Sequence, residues 1–376
     1  MRTNQSRRGF TLVELMVAMA LTLFIMVILS QAFVISLETF SGLKGIGDMQ
    51  ENLRSASVIL RDDLMQSHFD GARRLADVTA AQKPQAGFVV IVQGSIPVNA
   101  QGSSPYPPDP YVCEGLDGSG MPSYRASNHL LYMAVKRKGN QPQNFLTATL
   151  NTAASPGAVD TFFKTQSAYT MSPTADYPDS TYAIPYMPGQ QTSFYASQWS
   201  EVIYYLEQTG STEEPNNTSS SIGTPVYRLM RAQFVMVPDS TNVNNAKIPG
   251  TNLAAFQNLS CLNAGGTLAF FSPQDVAVGQ RVVANPTSLF GAGGVLNPAS
   301  ASFARVTPVA TLVLPSVTSF QVQILPTGPS TTFTDVPGNV FDSTSATYGL
   351  KAIQITLRVW DQKTRQTRQL TLIQDM

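Results

Sequence analysis

Residues that could catalyse a reaction or bind a metal ion are few and scattered in this sequence. It has only two histidines, His68 and His129, too few for a histidine-rich metal site and a poor basis for a Ser-His-Asp triad. No GxSxG, HExxH, P-loop or dinucleotide glycine motif occurs. Glu114 and the Asp117-Gly118 pair suggest a turn rather than a calcium loop. We therefore expect no enzyme activity, no cofactor and no metal.

The two cysteines, Cys113 and Cys261, are the other reactive side chains. Their wide separation makes no CxxC or zinc pattern, so they form either one disulfide or two free thiols. In an oxidising compartment the disulfide is the expected state. The chain-entropy model gives a loop of this length roughly 4 to 5 kcal/mol of stabilisation.

A single carboxylate near the N-terminus is the most informative reactive group. Glu14 lies within the string RGFTLVEL, which runs from Arg8 to Leu15 directly into an apolar segment. A carboxylate inside a bilayer is costly, of order 2.5 kcal/mol or more at the centre of a span, so such a group usually has a partner. A simple single-pass anchor has no use for a glutamate at this depth.

The segment after Glu14 is apolar enough to cross a membrane. No charged side chain occurs from Leu15 to Leu37, and a helix of that length rises about 34 Å. A buried core helix has a similar composition, but soluble helices rarely stay apolar on every face for so many turns. Because Arg2, Arg7 and Arg8 precede the span, the positive-inside rule places the N-terminus in the cytoplasm and the chain beyond about residue 40 outside it.

Three export signals explain the arginines, but only one explains the glutamate. A secretory signal peptide has a shorter apolar stretch that ends at a small-residue cleavage site, and a twin-arginine signal would not place Glu14 inside its core. The segment from Arg8 to Leu15 resembles the class III leader of type IV prepilins and of type II secretion pseudopilins. This resemblance implies that a prepilin peptidase cuts on the cytoplasmic side after Gly9 and methylates the new N-terminus, Phe10.

The same resemblance implies a role for Glu14, the fifth residue of the mature chain. As the helices stack in a filament core, its carboxylate would face the α-amine that cleavage frees on Phe10, in its own or a neighbouring subunit. Residues 1–9 are then the leader peptide, and residues 10–37 are the transmembrane and filament-core helix.

Beyond the span, residues 38–79 are predicted to continue as an amphipathic helix. Apolar positions recur at spacings of three and four, which marks one face of a helix. Three glycines, Gly42, Gly45 and Gly47, lie where this segment meets the span, and each costs roughly 1 kcal/mol relative to alanine within a helix. We therefore expect a break or a flexible joint there. The apolar positions are Ile46, Met49, Leu53, Ala56, Leu60 and Leu64.

Residues 80–376 are predicted to form a head of antiparallel β-sheets with long loops. Alternating apolar residues indicate half-buried strands, most clearly over Ile353 to Val359 with a return strand over Gln369 to Ile373. Glu201 to Glu207 and Pro225 to Leu229 suggest a second hairpin. Residues 209–300 could be an insertion between strands of one sheet. The fold class is thus α+β, with a long N-terminal helix followed by a β head.

Composition adds limits on the partners. Only 13% of the side chains are charged and the net charge is zero, which argues against nucleic-acid binding through phosphate neutralisation but leaves a local basic patch open. No motif suggests a small-molecule substrate. Such low charge requires the head surface to depend on uncharged polar residues.

The order of the predicted strands limits the resemblance to two related groups of pilin-like proteins. In four features together the chain is similar to the PilW minor pilins and the related GspJ pseudopilins. These features are the helix, the strand from Val202 to Leu206, the strand from Val226 to Leu229 with Arg231 after it, and the late hairpin. This implies a single-pass inner-membrane protein with a periplasmic head, which helps to prime a type IV pilus with other minor pilins and the major pilin. Two alternatives remain open: a GspJ-like pseudopilin of type II secretion, or a pilus-borne adhesin or DNA-uptake subunit that reads ligands through Tyr/Pro-rich loops.

Overall fold

The computed structural model consists of one long helix and a β-rich head, and it confirms the predicted α+β class. The structure describes residues 11–71, 73–79, 81–93, 113–116, 122–124, 126–139, 144–151, 192–218, 222–237, 247–249, 256–264, 266–290, 300 and 305–376. The predicted leader peptide therefore lies outside the described residues.

Helix α1 (Leu12–Met65) is continuous, so the predicted break at the three glycines is wrong. A side chain explains at least one of these glycines. A Cβ at Gly45 would lie 2.7 Å from Oδ2 of Asp361, so this glycine lets a turn of the head approach the helix closely. The helix ends at Met65, well before residue 79, and a short 3-10 helix follows at Leu75–Asp77.

The other elements are fifteen strands, a second α-helix and further 3-10 helices within the described ranges. The α-helix is α2 (Pro273–Ala277), and the further 3-10 helices are Pro286–Leu289, Thr307–Val309 and Pro337–Asn339. The strands are β1 (Val89–Gln93), β2 (Cys113–Leu116), β3 (Pro122–Tyr124), β4 (His129–Lys136), β5 (Leu146–Asn151), β6 (Thr192–Ser197), β7 (Trp199–Ser211), β8 (Pro225–Val235), β9 (Lys247–Pro249), β10 (Cys261–Ala264), β11 (Thr267–Phe270), β12 (Thr311–Pro326), β13 (Val340–Asp342), β14 (Leu350–Asp361) and β15 (Gln366–Asp375).

Eight strands form one main antiparallel sheet in the order β13-β1-β4-β7-β8-β12-β14-β15. Both predicted hairpins are present, as β7 with β8 and as β14 with β15. Three smaller sheets contain β10-β11-β9, β2-β3 and β5-β6.

Helix α1 packs on one face of the main sheet through the stripe that the sequence predicts. Met49, Leu53, Ala56, Leu60 and Leu64 are all buried, and Ile46 is partly buried beside them. Facing them are alternate residues of the sheet such as Val202, Phe320 and Ile355. The apolar face of the helix, which recurs every 3.6 residues, therefore packs on the apolar face of the strands, which recurs every 2 residues, and the two faces form one core.

The described residues of 256–264, 266–290 and 305–310, between β8 and β12, form a layer over the opposite face of the main sheet, and we call them the covering layer. Its buried residues, such as Phe271, Val276 and Val283, pack on residues such as Tyr132 and Phe234 of the sheet. The predicted insertion at 209–300 thus begins too early, because Pro225–Val235 is a central strand paired with both β7 and β12. Since both of its faces are covered, β7 is buried over most of its length, where the sequence predicts half-buried strands.

Candidate functional site: the apolar helix and its attachment to the head

Glu14 is turned back towards the N-terminus of α1. The Glu14 carboxylate accepts hydrogen bonds from the Thr11 backbone N–H, at 3.0 Å, and from the Thr11 hydroxyl, at 3.1 Å. The Glu14 N–H donates in return to the Thr11 hydroxyl, at 3.3 Å, which completes a capping box. Gly9 and Phe10 lie outside the described residues, immediately before this cap.

The N-terminal half of α1 presents apolar side chains on every side and none of its most apolar segment is buried in the protein. Met26 is 71% exposed and Phe33 is 66% exposed. A soluble protein would not leave such a surface in water, so the interpretation as a buried core helix does not hold. The helix is long and apolar enough to cross a membrane.

A buried ion pair joins α1 to the main sheet. Asp63 on the helix accepts two hydrogen bonds from Arg231 on β8, with Nε–Oδ2 at 2.7 Å and Nη2–Oδ1 at 3.0 Å. The Tyr204 hydroxyl on β7 donates to the same carboxylate. Arg231 also donates to the Gln233 side-chain oxygen, at 2.8 Å. Because several bonds fix one carboxylate, they set the rotation and height of the helix on the sheet.

The pKa shifts of Arg231 and Tyr204 agree with these hydrogen bonds. Burial works against the charged guanidinium, but the hydrogen bonds and the charge of Asp63 raise the pKa of Arg231 above its usual value. Burial and the adjacent Asp63 charge raise the pKa of Tyr204 well above its usual value. Arg231 is therefore charged and Tyr204 neutral at every physiological pH.

A second buried carboxylate, Glu201 on β7, lies against the covering layer. It accepts hydrogen bonds from the hydroxyls of Tyr132 and Ser260 and from the Val282 N–H, the last at 3.3 Å. Burial raises the pKa of Glu201 to about 7, although its hydrogen bonds and the charges of Arg281 and Arg305 oppose the shift. Since Ser260 and Val282 belong to the covering layer, Glu201 links that layer to the sheet.

Two buried arginines hold the covering layer in place. Arg281 donates to both oxygens of Asp342 on β13, at 2.9 and 3.1 Å, and its guanidinium lies 4.1 Å from the ring centroid of Phe88. Arg305 donates to the backbone oxygens of Phe256 and Leu259, each at 2.8 Å. These groups have a structural explanation and need no ligand.

Both histidines are buried, and each is hydrogen-bonded to the backbone. Nδ1 of His68 lies 2.7 Å from the Ala134 oxygen, and His129 accepts from the Val322 N–H at 3.0 Å. Burial lowers the pKa of His68, and lowers that of His129 to about 4. Among the residues that the structure describes, no three His, Cys, Asp or Glu side chains cluster to bind a metal ion.

Cys261 is a free, buried cysteine at the start of β10. Its sulfur lies 3.5 Å from Nη2 of Arg305, and burial raises the pKa of the thiol to about 11. The side chain of Cys113 is outside the described part. The structure therefore gives no support to the Cys113–Cys261 disulfide, which stays a prediction.

Other sequence features have mixed outcomes. Trp199, the first residue of β7, is buried in the core beneath the covering layer. The Tyr/Pro-rich stretches 106–111 and 177–188 lie outside the described residues. The same holds for Asp117 and Gly118, so the structure does not address the turn there.

The two buried carboxylates, Asp63 and Glu201, are not among the residues that motifs single out in the sequence. Asp63 lies three positions after Leu60, on the helix stripe that is otherwise apolar, and an acidic residue there is the signal for a buried partner. Glu201 is the third residue of β7, a strand that is buried on both faces, which alternation alone does not reveal.

Comparison with known protein families identifies one motif, at the N-terminus of the chain. The prokaryotic N-terminal methylation motif matches residues 4–30. No curated protein and no solved structure shows significant similarity to the chain. The class of the protein is therefore assigned from the N-terminal motif together with the exposed apolar helix that follows it.

The combination defines a membrane-anchored subunit with an N-terminal apolar stalk and a β-rich head. More particularly, the methylation motif followed by the long apolar helix fits a type IV pilin-like protein. The motif indicates a structural, pilin-like or pseudopilin subunit, which a prepilin peptidase processes and which assembles with pilins in the membrane. It supports anchoring of the chain in the membrane through its N-terminus.

Proposed function

We propose that this chain is a PilW-type minor pilin that takes part in priming and assembly of a type IV pilus. The observation that carries the proposal is the methylation motif at residues 4–30, which runs into the exposed apolar N-terminal half of α1, while the C-terminal half of the helix packs into the core of the head. An exposed apolar helix needs lipid around it first and other helices later, which is what insertion followed by assembly supplies.

The proposed processing fits the local geometry of the N-terminus. Cleavage after Gly9 leaves Phe10 as a methylated N-terminal residue directly before Thr11. The Thr11 N–H already lies 3.0 Å from the Glu14 carboxylate. A new α-amine one residue away would therefore be close to that carboxylate, which supports a role for Glu14 in docking the helix into a filament.

The proposed topology follows from the charges that flank the span. Arg2, Arg7 and Arg8 keep the N-terminus in the cytoplasm, and residues 80–376 form a periplasmic head. The partners are the prepilin peptidase, other minor pilins and the major pilin. The attachment through Asp63 and Arg231 supports this role, because it fixes the orientation of the head on the stalk.

The same motif and helix would also serve a GspJ-like pseudopilin of type II secretion. Deletion of the gene distinguishes the two systems. A minor pilin would be required for surface pili, whereas a pseudopilin would be required for export of secreted proteins and would leave pili intact.

Mass spectrometry of the mature protein tests the processing. We expect the membrane-associated chain to begin at methylated Phe10, and a Gly9→Val variant to keep its leader in the same cells. A mature chain that retains residues 1–9, or one cut beyond the span, would contradict the proposal.

A further inference from the structure

One outer edge of the main sheet, formed by β15, is long and regular. β15 pairs with β14 over its whole length without a register shift, from Asp361 opposite Gln366 to Ala352 opposite Asp375. The opposite edge differs, because β13 has only three residues and Asp342 within it is bound to Arg281. Among the described residues, no strand pairs with the outer edge of β15.

The backbone groups that point outwards from β15 follow from the hydrogen-bond pattern. The Met376 N–H donates to the Lys351 oxygen at 2.9 Å, in the same register as the β14–β15 ladder. Hydrogen-bonded pairs alternate in an antiparallel ladder, so even-numbered residues of β15 bond to β14. The outward N–H and C=O groups therefore belong to Thr367, Gln369, Thr371, Ile373 and, at the end of the strand, Asp375.

This edge lacks the usual protections against pairing. Natural edge strands carry prolines, bulges or charges that prevent the addition of another strand. β15 has no proline and no bulge, and Arg368 is its only charged residue before Asp375. All five outward residues are exposed, and Ile373 is 52% exposed. The edge is chemically suited to accept a further strand.

β15 also runs alongside α1, in the same direction. The turn before β15 lies beside the middle of the helix, where a Cβ at Gly45 would be 3.6 Å from Cγ2 of Thr364. At its other end, Gln374 lines a cleft with Leu64 at the C-terminal end of the helix. β15 is about 34 Å long, and the part of α1 beside it, from Gly45 to Leu64, is about 30 Å long, so the two run side by side over the whole strand.

We propose that the outer edge of β15 binds an extended, uncharged strand from the head of a neighbouring pilin-like subunit, which joins the main sheet in antiparallel orientation. The inference rests on the proposed function, since assembled subunits stand side by side with their stalks parallel. The added strand runs towards the membrane, opposite to β15 and α1. Its side chains next to Thr371 and Gln369 are β-branched or carry amides, matching the uncharged edge.

Membrane topology excludes a second copy of β15 as the antiparallel partner. A two-fold axis between two antiparallel β15 strands would make the two α1 helices antiparallel as well. Two chains anchored in one membrane through the same end cannot adopt that arrangement. The partner strand therefore comes from a different element, and the surrounding antiparallel sheet favours the antiparallel pairing.

Site-specific photocrosslinking in cells tests the proposal. The full-length chain would carry p-benzoylphenylalanine at Gln369 in its native membrane. We expect adducts to a strand peptide from another chain that has an N-terminal methylation motif. A Thr371→Pro substitution removes one outward N–H without removing a bond to β14, and should lower adduct yield at least tenfold, while Thr371→Val keeps the N–H and the yield. Protease resistance of the Thr371→Pro head verifies its fold.

The outcomes separate this inference from the proposed function. A crosslinker at Ile25 reports assembly through the stalk. Pilin adducts from Ile25 without adducts from Gln369 or from a crosslinker at Thr371 would overturn the inference alone. Adducts to a second copy of β15, or a yield that Thr371→Pro leaves unchanged in a folded protein, would overturn it too. Loss of adducts from Ile25 as well would refute the proposed function and the inference with it.

Discussion

Asp63 and Arg231 form a two-point ion pair between the stalk helix and the central sheet, with oxygen–nitrogen distances of 2.7 and 3.0 Å. Both are shielded from water, with side-chain exposures of 4% and 16%. A buried pair adds little net stability compared with apolar residues, but it is sensitive to the loss of one partner. Its role here is to fix how the helix lies on the head.

The first prediction concerns this pair. Asp63→Ala leaves the Arg231 guanidinium buried without its carboxylate and should lower the free energy of unfolding by about 3–5 kcal/mol. The double variant Asp63→Leu/Arg231→Met should recover most of the loss because no charge remains buried. Chemical denaturation of the full chain in detergent measures both.

An exposed pair on the same hairpin serves as the control. Arg228 and Glu207 lie 2.9 Å apart on β8 and β7, but their side chains are 44% and 24% exposed. Glu207→Ala should therefore change stability by no more than about 1 kcal/mol. Equal losses for Asp63→Ala and Glu207→Ala would contradict the importance of the buried pair.

The second prediction compares two glycines of α1. A Cβ at Gly45 would lie 2.7 Å from Oδ2 of Asp361, which also accepts from the Thr364 hydroxyl and N–H. Gly45→Ala should therefore destabilise the protein by displacing this turn. At Gly47 a Cβ would meet no atom within 4 Å, so Gly47→Ala should stabilise the helix by up to about 1 kcal/mol. Thermal unfolding of both variants checks the opposite signs, and a stabilising Gly45→Ala would refute the close-approach explanation.

These glycines show where sequence-based prediction succeeds and where it fails. The apolar stripe through Leu53 and Leu60 was predictable, because periodicity reports directly which face of a helix is buried. The break at Gly45 was not a safe prediction, because helix propensity is local, whereas the turn at Asp361 that occupies the space beside Gly45 is far away in sequence. The burial of Glu201 depends on the covering layer, whose position strand patterns do not predict.

The third prediction is a pH dependence that arises from Glu201. Burial raises its folded-state pKa to about 7, above the usual 4.5, so the folded protein binds the proton more tightly than the unfolded chain does. Its stabilising contribution is complete below about pH 4.5 and is lost as the pH rises through 7, a change on the order of 3 kcal/mol. Glu201→Gln should match the wild type near pH 4.5 and be more stable at pH 8. Equal pH profiles for the two proteins would contradict this assignment.

The fourth prediction concerns His129, whose effect has the opposite sign. Its folded-state pKa is lowered to about 4 from the usual 6.5, mainly by burial and despite the charge of Asp335. Its contribution is complete above about pH 6.5 and is lost as the pH falls through 4. His129→Asn can still accept from the Val322 N–H and should flatten the acid side of the stability profile. Denaturation midpoints from pH 3.5 to 7 measure this, and an unchanged acid limb would be the contrary result.

The last prediction concerns Glu14 and separates processing from docking. The carboxylate lies at the N-terminal cap of the exposed apolar helix, held by the Thr11 N–H and hydroxyl. Glu14→Ala removes the charge that would meet the α-amine of Phe10, but it leaves Gly9 and the apolar span intact. We therefore expect cleavage to continue and filament number to fall, as measured by mass spectrometry and by electron microscopy of the cell surface. Thr11→Val is the matched control, because it removes the side-chain cap and costs about 1 kcal/mol at the helix end while keeping the carboxylate. Normal piliation in Glu14→Ala cells would refute the docking role, and so would an equal loss of filaments in Thr11→Val cells.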